Sequence, residues 1–185
     1  MKAVRTVAWI CLCVFAIAGC KAKPGTESKK SNTEVWKGNF SQSKLERKDL
    51  TPGGLPGLTI KVPANASIEK AFKLTASDPD VATVNNSVGF SIWIQRTYDS
   101  LAKRKTAIQK NSLYPFKGFV AETKSSLIYR TKGLTGGEDL RFLSVVRVGG
   151  ATYSCSPMGG ATFGTEDRAL IDQMIRACQS LAKKG

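Results

Sequence analysis

The stretch LRFLSVVRVGGATYSC, residues 140–155, decides the fold of this chain. Two runs rich in apolar and β-branched residues, 140–148 and 151–155, stand on either side of Gly149 and Gly150. A Gly-Gly pair between two such runs is a strong signal for a two-residue β-hairpin. The stretch therefore predicts two antiparallel strands, and with them a sheet.

Other segments predict further strands around this hairpin. Apolar and polar residues alternate in the ranges 58–63 and 88–95, and the first of these runs stops at Pro63. Phe72 and Leu74 suggest a short strand between these two runs. The ranges 118–123 and 126–131 are short enough and close enough to pair as a second hairpin across Lys124 and Ser125. The sequence thus predicts a run of strands with mostly short connections.

Two helices are also expected. Residues 98–110 lose the strand period and carry apolar residues among charges, which predicts a basic surface helix. Near the C-terminus, Thr165 is a candidate N-cap, and Glu166 and Asp167 would complement the dipole of the first turn. The residues that follow place one apolar stripe on a helix: Leu170, Ile171, Met174, Ile175, Cys178 and Leu181. The expected fold class is α+β, an antiparallel sheet covered by a C-terminal helix.

This order of elements resembles the Mog1/PsbP-like domain. The matching pieces are the strand that ends in proline (58–63), the meander at 140–153 and the terminal helix at 170–181. The resemblance implies a layered sandwich, and domains of that shape usually act as binding or assembly accessories. Fold analogy by itself assigns no ligand.

The first twenty residues have the three-part layout of a secretory signal. Lys2 and Arg5 form a basic start, an apolar run follows at 7–18, and small residues lead to Cys20. The apolar run has about 12 residues, fewer than the roughly 20 that a permanent transmembrane helix needs. An exported chain is therefore expected.

Residues 17–20, Ile17-Ala18-Gly19-Cys20, resemble the lipobox of bacterial lipoproteins. The resemblance implies cleavage before Cys20 and a diacylglycerol on its thiol, so a covalent lipid is the only expected cofactor. Two or three acyl chains make a stable membrane anchor. The alternative is an ordinary secreted protein whose cleavage site ends in Gly-Cys. Lys21 stands where lipoproteins retained in the inner membrane often carry aspartate, so the resemblance implies the outer membrane, facing the periplasm.

The expected organisation has three parts. Residues 1–19 are the lipoprotein signal peptide, and residues 20–57 are the lipidated cysteine and a flexible tether rich in Lys, Ser, Gly, Pro and Thr. Residues 58–185 are long enough for one α+β domain and too short for two.

Cys155 and Cys178 are the two thiols that remain once the signal is removed and Cys20 is lipidated. In an oxidising periplasm such a pair is most simply a disulfide, with two buried free thiols as the alternative. A bridge would close a loop of about 24 residues and contribute on the order of 3 kcal/mol. It would join the inner face of the terminal helix to the strand that carries Cys155.

The chain is strongly basic, with 28 Lys and Arg against 14 Asp and Glu. Loss of Lys2 and Arg5 with the signal leaves 26 against 14, a formal balance of +12. Such a chain is attracted to anionic surfaces, which in the envelope are acidic lipid and polysaccharide. The densest cluster is a candidate binding site for an anionic partner: Lys103, Arg104, Lys105 and Lys110. The alternative is that these residues only keep the surface soluble. Interleaved aromatic residues are lacking, so nucleic acid is not an expected partner.

No residue type in the sequence points to catalysis. Histidine is absent, which removes Ser-His-Asp triads, Cys-His pairs and histidine metal sites. The glycine-rich loops lack the context of a phosphate cradle, and Asp78 and Asp80 flank Pro79 in a turn rather than a calcium loop. We expect no catalytic residue and no metal site.

The expected function is a non-catalytic binding or assembly accessory that docks an envelope protein. The alternatives are a lipoprotein immunity or inhibitor protein against a toxin, and a binder of anionic envelope polymer.

Overall fold

The computed structural model describes residues 45–73, 75, 77–87, 89–133, 136–158 and 167–185, all of which belong to the unit formed by residues 37–185. Over these residues the chain forms two antiparallel sheets and two α-helices. The elements are β1 (Leu45–Asp49), β2 (Leu58–Pro63), β3 (Ser67–Lys70), β4 (Val81–Asn85), β5 (Ser91–Arg96), α1 (Leu101–Gln109), β6 (Phe116–Glu122), β7 (Ser126–Lys132), β8 (Glu138–Val148), β9 (Ala151–Pro157), α2 (Arg168–Gln179) and β10 (Ala182–Lys183). A 3₁₀ turn at Thr51–Gly53 follows β1. The expected α+β class is confirmed.

The larger sheet has seven strands in the order β3-β4-β5-β9-β8-β7-β6, and β1-β2-β10 form the smaller one. The predicted hairpin β8-β9 lies near its centre, with Val148 paired to Ala151. Gly149 and Gly150 have φ values of +58° and +86°. A two-residue turn of this hand needs positive φ at both positions, which is why glycine stands at each.

The two faces of the larger sheet differ in how they are covered. Strand side chains alternate, so Phe142 and Cys155 lie on the face packed by α2, while Arg141 and Leu143 lie on the opposite face. Helix α2 begins after Asp167, whose carboxylate accepts hydrogen bonds from the backbone N–H groups of Ala169 and Leu170. The apolar stripe predicted for this helix is buried along its whole length. One face of the larger sheet is therefore covered by the apolar side of helix α2, which packs against apolar strand side chains.

The domain begins earlier in the chain than expected. Strand β1 pairs with β2 over its five residues, and the side chain of Leu50 is fully buried. The predicted flexible tether at 20–57 is therefore wrong for residues 45–57, while residues 1–44 lie outside the described ones. The physical reason is that β1 carries mainly charged side chains on exposed positions, so no apolar alternation marks it as a strand. Strand β1 is stabilised by its backbone hydrogen bonds to β2 and not by an apolar face of its own.

Two strand predictions are also corrected. Of the two residues expected in a short strand, Phe72 is in no strand and is 89% exposed, and Leu74 lies outside the described residues; the strand nearby is β3, which is mainly polar and lies at the edge of the sheet. The strand expected at 88–95 begins at Ser91, because the N–H of Phe90 donates to the side-chain oxygen of Asn86 and the chain turns there. Strand β2 and both hairpins agree with the predictions, as does a helix within 98–110. The N-cap predicted at Thr165 is wrong: Asp167, expected in the first turn of α2, is itself the N-cap, because its carboxylate accepts hydrogen bonds from the free backbone N–H groups of that turn. Thr165 and Glu166 lie outside the described residues.

Candidate functional site

Helix α1 carries the basic cluster predicted from the sequence, and it buries none of its own residues. Two cations of the cluster are already paired within the chain. Lys103 Nζ lies 2.6 Å from Asp99 Oδ1, and Lys105 forms an ion pair with Glu122 and lies 4.6 Å from the centre of the Phe119 ring. The hydrogen bond from Lys103 holds the pKa of Asp99 below its usual value, against the opposing effect of burial. The contacts of Lys105 hold α1 to the edge strand β6, whereas Lys103 pairs with a residue just before its own helix.

The other two cations of the cluster, Arg104 and Lys110, make no ion pair with any residue that the structure describes. Arg104 is half-buried and Lys110 is exposed. The cluster is therefore not a uniform basic patch. It presents two unpaired positive charges beside two neutralised ones.

A small polar cavity lies where the end of α1 and the following turn meet the sheet. We call it the α1 cavity. It has a volume of about 40 Å³, is open on one side, and is lined by Ile108, Asn111, Tyr114, Tyr129, Thr131 and Arg141. It lies on the opposite sheet face from α2.

Two neighbouring strands and one turn position the lining side chains. Tyr129 in β7 stands directly opposite Arg141 in β8, so their side chains share a face with that of Thr131 two residues on. In the turn after α1, Asn111 Oδ1 accepts hydrogen bonds from the N–H groups of Leu113 and Tyr114, at 2.9 and 3.0 Å. This turn places the Tyr114 ring 3.9 Å from the guanidinium carbon of Arg141.

Two residues that line the cavity each carry a buried polar atom that lacks a hydrogen-bond partner among the described residues. The two atoms are Nε of Arg141 and the hydroxyl oxygen of Thr131. Thr131 is 2% exposed and the Arg141 side chain 12%. The other recorded contact of the guanidinium is a long one, 3.4 Å from Nη2 to Asp139 Oδ2. Since an unpaired buried polar group costs about 1–3 kcal/mol, two such residues beside one cavity indicate a place where a polar group binds.

Tyr129 adds a hydroxyl to this site. Burial raises the pKa of Tyr129, and the positive charges of Arg141 and Arg104 oppose that rise. The phenol consequently stays protonated at neutral pH and can both donate and accept a hydrogen bond. Combined with Arg141 and Thr131, it gives the cavity a set of donors beside a positive charge.

None of the residues that line this cavity was predicted from the sequence to form a site. Arg141 is the lining residue that the sequence could most easily have marked as a site residue, because it is a charged residue inside the apolar run that forms β8. The cavity itself depends on the β7-β8 register and on the turn after α1, which no short motif records.

The predicted disulfide residues do come together. The sulfur atoms of Cys155 and Cys178 are 2.04 Å apart, and both side chains are fully buried. The pair joins β9 to the inner face of α2, as expected. Cys20 lies outside the described residues, so its lipidation stays a prediction.

A second, larger groove lies at the other end of the sheet, beside Trp93. Its volume is about 190 Å³, and its lining is mostly apolar: Ala71, Phe72, Lys73, Asp78, Pro79, Val81 and Trp93. Within the described ranges, no group of three or more acidic, cysteine or histidine side chains is placed to hold a metal ion. No helix in the same part of the chain is long and apolar enough to span a bilayer.

Comparison with known proteins adds no family assignment. No family model matches the chain, and no curated protein matches it. The resemblances to the lipobox and to the Mog1/PsbP-like domain therefore stay predictions from the sequence.

Proposed function

We propose that this chain is an exported lipoprotein, anchored through Cys20 in the outer membrane and facing the periplasm. Its domain would act there as a non-catalytic binding or assembly accessory that docks an envelope protein. The segment Ile17-Ala18-Gly19-Cys20 and the lysine after it support the anchor and its location. The absence of histidine from the whole sequence supports a function without histidine-based catalysis.

The contrast between the two helices is the observation that carries the binding part of the proposal. Helix α2 buries seven of its twelve residues in the core, whereas α1, nine residues long, buries none. A surface helix that buries no side chain adds little hydrophobic stabilisation. The exposed side chains of α1 that form no ion pair are thus available for a partner, and the polar cavity beside the C-terminal end of the helix extends the same surface.

The bonded cysteines fit the proposed compartment. Disulfides form and persist in oxidising environments such as the bacterial periplasm and are rare in the cytosol. The Cys155–Cys178 pair is buried between β9 and α2, so it supports export without suggesting a redox role.

Anionic polymer is a weaker candidate partner than an envelope protein. Lys103 and Lys105 are each paired with a carboxylate of the chain itself, so α1 offers two unpaired charges rather than four. Binding to a polyanion grows with the number of neutralised charges and is lost as salt screens them. A protein interface with an apolar centre keeps its affinity at high salt.

Two measurements test the proposal in cells. The first is the intact mass of the membrane-extracted chain beside its Cys20→Ser variant. We expect a chain that starts at Cys20 and carries acyl mass, which the variant lacks. An unlipidated, soluble wild-type chain would refute the anchor.

The second measurement is site-specific photo-crosslinking in whole cells. A photoreactive residue at Lys110, exposed after α1, is compared with one at Lys61, exposed on the smaller sheet. We expect one envelope protein to crosslink at Lys110 and not at Lys61, at low and high salt. Equal crosslinking from both positions, or a product at Lys110 that disappears with salt, would argue against a specific protein interface.

A further inference from the structure

We propose that the α1 cavity is a carboxylate-binding site and that it receives one carboxylate group carried by the docked partner protein. The inference rests on the proposed function for the identity of the partner. The site itself is argued from Arg141, Thr131 and Tyr129.

The donors in the cavity select an anion with oxygen acceptors. Arg141 brings a permanent positive charge and an Nε–H group without a partner, and Thr131 brings a buried hydroxyl in the same condition. Tyr129 lines the same space, and Arg104 is close enough for its charge to act on Tyr129. Among the described residues, Asp139 is the one acidic contact of Arg141, at 3.4 Å, and the two arginines outweigh that single charge.

The size of the cavity selects a carboxylate over a bulkier anion. About 10–15 Å³ of such space holds one water-sized group, so a cavity of about 40 Å³ admits on the order of three heavy atoms. A carboxylate has three, whereas a phosphate group has five. The space is too small for a whole metabolite, but its open side allows a side chain or chain end of another protein to enter.

The guanidinium is already oriented for this contact. The Tyr114 ring lies against it at 3.9 Å, and the two hydrogen bonds to Asn111 Oδ1 hold the turn that carries that ring. A planar guanidinium held in this way loses little freedom when it binds a planar carboxylate through parallel N–H···O bonds. Preorganisation of this kind improves affinity by lowering the entropy cost of binding.

The direct test observes the arginine Nε–H groups by ¹⁵N NMR in the full chain as it is extracted from cells, in non-ionic detergent, whether or not it carries lipid. Sodium acetate replaces sodium chloride stepwise at constant ionic strength. We expect a saturable shift of the Arg141 Nε–H signal, assigned by its loss in Arg141→Lys. Arg147, exposed on the same face of the same strand, is the matched control and should not respond. If the Arg141 Nε–H signal did not shift with acetate, or if the Arg147 signal shifted equally, the proposal would be overturned.

A conservative variant separates binding from folding. Thr131→Val keeps the shape of the side chain and removes only the hydroxyl, so we expect acetate to bind about tenfold more weakly, as is usual when a charge-assisted hydrogen bond is lost. Arg147→Lys should leave acetate binding unchanged. The unfolding midpoint of each variant shows whether the domain is intact. Undiminished binding by a folded Thr131→Val chain would remove Thr131 from the site.

Three further ligands define the source of the carboxylate. A short peptide with a glutamate should shift the Arg141 signal at lower concentration than acetate, while its glutamine counterpart should have no effect. Binding of acetate without binding of the glutamate peptide would overturn the partner-borne origin. Tighter binding of inorganic phosphate than of acetate would overturn the choice of carboxylate. These results need no membrane or cell, so they are independent of the lipidation and crosslinking measurements.

Discussion

Replacement of Leu50 by alanine tests whether the segment before β2 belongs to the core. The Leu50 side chain is fully buried among core residues. Its backbone N–H donates to the carbonyl of Leu58 at 2.9 Å, and its carbonyl accepts from Gly53 and Leu55, so these hydrogen bonds survive the substitution. The change removes about three methylene equivalents at about 0.8 kcal/mol each and leaves a cavity. We expect a loss of about 3 kcal/mol in the free energy of unfolding.

The assay is equilibrium unfolding in urea, followed by circular dichroism, of oxidised chains that comprise residues 21–185. Leu50→Met, which conserves volume, should cost less than about 1.5 kcal/mol. Leu113→Ala changes a leucine that is 64% exposed and should stay within about 0.5 kcal/mol of the parent chain. If Leu50→Ala were as mild as Leu113→Ala, Leu50 would lie outside the core and the tether predicted for this segment would stand.

Three further predictions use the same unfolding measurement. The Cys155–Cys178 bond spans 23 positions, so the double alanine variant should lose about 3 kcal/mol and respond no further to reductant; a loss below about 1 kcal/mol would contradict this. Hydrogen bonds from Lys184 and from Thr51, that from Lys184 having the largest effect, lower the pKa of Asp49 from 3.8 to about 2, so their stabilising effect is present above the unfolded value and disappears as pH falls through the folded one. Lys184→Met should therefore lose less stability than the parent between about pH 5 and about pH 2, and equal losses would exclude the effect. Gly149→Ala places a side chain at a φ of +58° and should cost about 1 kcal/mol, whereas an unchanged midpoint would refute the turn geometry.

The sequence predicted those elements whose physics is local. Strand β2 alternates apolar residues and stops at proline, and the Gly149-Gly150 turn has the positive φ values that glycine permits. The apolar stripe of α2 repeats at helical spacing, and Cys178 falls on it. Each signal lies within a few residues, so each was readable without knowledge of the rest of the chain.

Three of the four edge strands in the described part of the chain, β1, β3 and β10, escaped prediction because their stability comes from a partner and not from their own pattern; β6 is the exception. Strand β1 is charged and pairs with β2, and β3 is polar and pairs with β4. The short strand β10 pairs with β2 from the far end of the chain. Polar side chains on exposed positions of an edge strand also hinder pairing with other molecules. A strand that carries such side chains lacks the apolar alternation that would reveal it in the sequence.

Composition and short motifs by themselves determined the α+β class, the central hairpin, the terminal helix and the expectation of an anchored, exported chain. Tertiary structure decided where the domain starts, which cations of α1 remain unpaired, and that a polar cavity exists beside that helix. Lys105 meets Glu122 across 17 positions, and the cavity needs Tyr129 and Arg141 to face each other from adjacent strands. Local patterns act within one element, whereas a binding site is set by register and packing between elements that are distant in the chain.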